Sequence, residues 1–148
     1  MESRIEFRVR YAETDRMGVV YHANYLIWCE MGRTDLMRRL GTSYADLERR
    51  GIHLTVADAR IRLRNSARYD DRIRVKTVVT RVRSRGVSFA YQVENLESGV
   101  DLASAETDLI CVDGQGSTRK LPADVRALLT GEKPSSDGRN LETLSGVE

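Results

Sequence analysis

Asp15, Gly18 and His22 are the residues of this chain whose types and spacing best fit a reaction centre. They lie in Tyr11-Ala-Glu-Thr-Asp-Arg-Met-Gly-Val-Val-Tyr-His-Ala-Asn-Tyr-Leu-Ile-Trp-Cys29, which turns at Asp15-Arg-Met-Gly18 and then enters a long apolar-faced helix. Amides at a helix N-terminus point outward with partial positive charge and favour anions and developing oxyanions. A carboxylate beside them can attack as a nucleophile or act as a general base toward water. The plainer role for Asp15 is to satisfy turn amides. His22 can orient a carbonyl through its ring or through its backbone N–H, or it can be structural. Tyr21 and Tyr25 either line a pocket or pack. Arg33, further along the helix, either anchors a carboxylate or pairs at the surface.

Other chemistries find less support. No Gly-x-Ser-x-Gly is present, and the order of serines and histidines suggests no triad. Gly114-Gln-Gly116 is a turn and not a phosphate loop, because no Gly-Lys-Ser/Thr follows. Cys29 and Cys111 lie far apart in apolar registers, and His22 and His53 are the only histidines, so buried free thiols are expected and no metal site. Among the basic residues, Arg60, Arg62 and Arg64 share one strand face, as do Arg72 and Arg74, and then Arg81, Arg83 and Arg85. Such a strip is either a solvated surface balanced by acids or a phosphate-binding surface. A net charge of only +2 gives nucleic-acid binding little support.

The elements that must position these residues can be read from periodicity. Arg4–Tyr11 alternates as a strand. Asn24 is a candidate N-cap for a helix to about Leu40, whose Tyr25, Trp28, Cys29, Gly32, Leu36 and Leu40 form one apolar stripe. Gly32 costs helix propensity, so the close approach of another backbone is expected there. A short helix, Tyr44 to Arg50, follows a Thr42 or Ser43 cap. The strand from His53 carries a phase change near Ala57-Asp58 that implies a bulge. Arg72–Val82, Val87–Asn95 and Val100–Val112 are further strands, and Leu121–Leu129 is a short helix with Pro122 in its first turn. The last four strands read as an antiparallel meander. A one-striped helix then needs a curved sheet wrapped around it, an α+β architecture.

At 148 residues, with 41% hydrophobic and 31% charged residues, one domain with a sizeable core is expected over 1–130. Residues 131–148 are polar and expected to be flexible. No apolar run approaches the roughly 18 residues of a membrane span, and no signal-peptide core is seen, so cytoplasmic residence is the default expectation.

The run Tyr11-Ala-Glu-Thr-Asp15-Arg-Met-Gly18-Val-Val20-Tyr-His22-Ala-Asn24-Tyr25-Leu resembles the signature of the 4-hydroxybenzoyl-CoA thioesterase family, in particular its Tol-Pal-associated acyl-CoA thioesterase branch. The likeness extends through Ala67–Asp71, Arg83–Phe89 and the final strand. It implies the hotdog fold, homodimers or homotetramers with sites at the subunit interface, and hydrolysis of an acyl-CoA without a cofactor. Asp15 matches the family's catalytic carboxylate, as nucleophile or base. His22 matches the position whose amide polarises the carbonyl. The resemblance makes Gly18, Val20, Tyr21 and Tyr25 pocket residues and places Arg83, Arg85 and Ser88 against coenzyme A. Arg16-Met17 departs from the small residues usual there and leaves acyl specificity open. Hydrolysis of acyl groups from an acyl carrier protein and a non-catalytic acyl-CoA-binding module are the alternatives.

Overall fold

A computed structural model describes residues 1–132; the tail expected to be flexible lies, beyond residue 132, outside the described residues. Strand β1 (Glu2–Arg8) stops at Arg8, not Tyr11. Residues Tyr11–Glu13 coil into a short 3-10 turn instead, because the Glu13 carboxylate takes the Arg10 N–H at 2.8 Å and closes the chain on itself.

Helix α1 (Ala23–Arg39) begins earlier than Asn24 suggests. His22 is its N-cap residue, already in helical conformation, and the Asn24 side chain reaches back to the Glu13 carbonyl at 2.9 Å. Tyr25, Trp28, Cys29, Gly32, Leu36 and Met37 form the buried stripe, with Leu40 half-buried at its end. The helix terminates at Gly41, whose φ of +97° suits a residue without Cβ. Helix α2 (Tyr44–Arg49) is capped by the Ser43 hydroxyl, which accepts the Asp46 N–H at 3.1 Å.

Strands β2 (His53–Leu63), β3 (Arg72–Arg83), β4 (Gly86–Asn95) and β5 (Asp101–Val112) join β1 in one antiparallel sheet of order β1-β3-β4-β5-β2. Only β3-β4-β5 is a meander. The expectation that β2 continues it is corrected: β2 pairs with β5 at one edge, and the chain then crosses to β3 on the other side. The connection is fastened beside the α1 entrance by a Val20 N–H to Ala67 carbonyl bond of 2.9 Å and a bridge between Val19 and Arg68. The bulge on β2 falls between Val56 and Asp58, where the phase change implied it. Helix α3 (Ala123–Thr130) follows, with Pro122 at its N-cap.

Trp28, Leu36 and Met37 of α1 meet Val75, Phe89, Val93 and Leu109 of the sheet in a core from which water is excluded. Each such side chain contributes about 1.5–3 kcal/mol on burial. This packing of one helix against a curved sheet is the hotdog architecture. Both cysteines are buried free thiols, and burial pushes the Cys29 thiol up to about 12.

Candidate active site

The segment between the 3-10 turn and α1 is a tight loop. Asp15 N–H donates to the Val19 carbonyl at 2.8 Å, Gly18 N–H donates to the Asp15 carbonyl at 3.0 Å, and Thr14 bridges Val20. Gly18 holds φ at +78°, which a side chain would resist. Asp15 is exposed at the head of this loop. Its Oδ1 accepts the Met17 N–H at 2.8 Å, so it does serve a turn amide, and Oδ2 is left without a partner among the described residues.

At the other end of the loop His22 opens α1. Tyr21 N–H donates to Glu13 and Asn24 N–H to Tyr21, but the His22 N–H has no acceptor among the described residues. The first turn of α1 holds no acidic residue, while Arg38 and Arg39 stand in the last turn. The positive end of the helix dipole is thus left unneutralised by its own side chains. The imidazole makes no cap bond and lies against the Tyr21 ring, with centroids 4.6 Å apart.

A depression of about 250 Å³ opens beside His22, lined also by Val20, Tyr25, Leu63, Arg64, Asn65 and Ser66. Tyr25 is otherwise buried, its hydroxyl accepting the Ala67 N–H at 3.1 Å. Burial raises the pKa of that phenol. Larger hollows between β1 and α1, about 430 Å³, and across β2 and β5, about 760 Å³, touch neither Asp15 nor His22.

Arg83 and Ser88 meet each other at the far end of the sheet. Arg83 Nη2 donates to Ser88 Oγ at 3.2 Å, and Ser88 Oγ donates to Asp108 Oδ1 at 2.6 Å. Asp108, which orders both, carried no signal in the sequence. It sits opposite Asp58, and the five residues of β2 from there to Leu63 span about 17 Å. The chain therefore does not bring this group to Asp15. Arg85, in the β3–β4 turn, has no acid within 4 Å among the described residues. Most of the remaining arginine strip is balanced: Arg60 by Glu106, Arg64 by Asp101, and Arg72 and Arg74 by Glu6. Among the described residues no group of three or more His, Cys, Asp or Glu could hold a metal ion, and no helix is long and apolar enough to cross a membrane.

Glu13 is the site residue that sequence reasoning missed. It is 4% exposed, and its Oε2 accepts the Trp28 indole N–H at 2.7 Å while Oε1 accepts the Arg10 N–H. The available signal was the proximity of an acid to a helix whose tryptophan needs an acceptor.

The family model of the thioesterase-like superfamily matches residues 9–129, a span that holds this loop, α1 and the whole of β2 to β5. The chain belongs to the thioesterase-like superfamily. Its enzyme class is thioester hydrolase. YneP of Bacillus subtilis is 39% identical over 111 residues, 75% of this chain and 80% of that protein. The acyl-CoA thioester hydrolase YbgC of Escherichia coli is 32% identical over 121 residues, 81% of this chain and 90% of that protein. Among solved structures, the DHNA-CoA thioesterase of Staphylococcus aureus superposes with a TM-score of 0.84 at 32% identity, covering 98% of this chain and 93% of that one.

Proposed function

We propose that this superfamily member hydrolyses an acyl-CoA to the free acid and coenzyme A. The observation that carries the reading is the unpartnered His22 N–H at the N-terminus of α1, with Asp15 presented by the same short loop. A thioester carbonyl gains negative charge as it is attacked, and an amide already oriented toward it stabilises that charge without reorganisation. As general base, Asp15 takes a proton from water while the water oxygen adds to the carbonyl carbon. The C–S bond then breaks, and the thiolate leaves and takes up a proton. As nucleophile, Asp15 forms a mixed anhydride with loss of the thiolate, and water then cleaves the anhydride. Either route gives one acid and one thiol.

Relatives named for acyl-CoA hydrolysis support coenzyme A as the leaving thiol. Arg60, Arg64 and Arg74 are paired with acids, which reduces what that part of the arginine strip offers an acidic carrier protein. An intact Asp15 argues against a purely binding role.

The separation of Arg83, Arg85 and Ser88 from Asp15 supports a homo-oligomer in which one copy brings the carboxylate and another the coenzyme A contacts. The free edge of β2 is the natural seam, because Val56 and Leu63 on its helix-facing side remain 43% and 48% exposed. Thiol release from short, long and aromatic acyl-CoAs, comparing wild type with Asp15→Asn, tests the reaction. The variant is expected to lose at least about 10²-fold in kcat. Equal turnover in the two proteins would refute the role of Asp15.

A further inference from the structure

The proposed chemistry uses two groups at opposite ends of one loop, the Asp15 carboxylate and the His22 N–H. Their separation must be held closely, and the loop's own bonds stop at Val19 and Val20, short of His22. Glu13 bonds beyond them, to the helix entrance. It stands two residues before Asp15, and its carbonyl oxygen accepts Tyr21 N–H at 2.9 Å and Asn24 Nδ2 at 2.9 Å. Those two donors flank His22 on either side. Its carboxylate meanwhile locks the strand end through Arg10 N–H and the helix through the Trp28 indole. The exposed Arg10 guanidinium adds a cation 3.4 Å from Oε1. Four donors on three different stretches of chain therefore converge on one residue.

We infer that Glu13 is a positioning residue that sets where the Asp15 carboxylate stands relative to the His22 N–H. This rests on the reading of Asp15 and His22 given above. Reacting groups displaced by about 1 Å can lose about 10²-fold in rate while binding is largely kept. The signature of lost positioning is therefore a fall in kcat with little change in KM.

Glu13→Gln keeps the shape but replaces one of two acceptors by a donor. Facing the Trp28 and Arg10 N–H groups, it must oppose donor to donor at one of them. Asn24→Ala leaves the carboxylate alone, removes one donor from the Glu13 carbonyl and suits a helix. Both variants and Asp15→Asn are assayed with acyl-CoA well below their unfolding temperatures, with folding checked by circular dichroism. Glu13→Gln is expected to lower kcat about 10- to 100-fold and Asn24→Ala about 3- to 10-fold, each with KM within about 3-fold of wild type. Wild-type kcat in folded Glu13→Gln overturns the inference, as does wild-type kcat in Asn24→Ala should Glu13→Gln fail to fold. Full activity in Asp15→Asn would instead remove the reading on which the inference rests.

Discussion

His22 can meet a carbonyl through its ring or its amide, and two substitutions separate them. Its φ of −56° matches proline, which lacks the N–H and is tolerated at a helix start. His22→Pro is therefore expected to fold and to lose about 10²-fold in kcat, whereas His22→Ala is expected to stay within about 10-fold of wild type. Steady-state kinetics on both decide it, and the reverse order would assign the role to the imidazole. Asp15 and His22 were legible from the sequence because their relation is local, a turn running into a helix start. Glu13 was not, since what distinguishes it is a tryptophan four helical turns' worth of chain away in sequence terms only, brought against it by folding. Asp108 was hidden for the same reason, being defined by strand register.

Among elements, the contact between α1 and β3 shows which of two effects wins. Gly32→Ala gains about 1 kcal/mol in helix propensity. A Cβ there would overlap the Thr77 hydroxyl, however, in a core where overpacking costs about 1–3 kcal/mol. A net loss of stability is expected in denaturant titration, and Gly32→Ala with Thr77→Ala is expected to recover part of it. The sequence implied a close neighbour at Gly32 but pointed to backbone, whereas the neighbour is a side chain. Helix and strand identities followed from periodicity, while the place of β2 did not, because pairing partners are chosen by crossover geometry that local pattern does not encode.

The link between β1 and α1 is pH-dependent. Burial alone would raise the Asp35 carboxyl, but hydrogen bonds from Ser3, at 2.5 Å, and Arg39 hold it below its ordinary value. A folded-state pKa below the unfolded one adds stability that is complete above the ordinary carboxylate pKa of about 3.9 and is lost as pH falls through the lower folded value. Thermal unfolding of wild type and Asp35→Asn should therefore differ at neutral pH and converge in strong acid.

At the scale of the whole molecule, the halves of the proposed site lie at opposite ends of the sheet. If copies pair across β2, a mixture of Asp15→Asn with the double variant Arg83→Ala, Arg85→Ala should regain activity that neither has alone. Random pairing restores about a quarter of the wild-type sites. Activity of the mixture no greater than the sum of the separate proteins would place all site residues within one copy.

The position of β2 also sets the order in which the chain can mature. During synthesis β2 emerges long before β5, the strand that pairs with it along nearly its whole length. Until β5 arrives, β2 has two open edges, and closing so long a loop is slow relative to local helix formation. On a chain being synthesised, the β2–β5 ladder can therefore form only after β1–β3 and β3–β4 are already possible. If β2 is the seam proposed above, a nascent chain remains unfit to join another copy until β5 has been made.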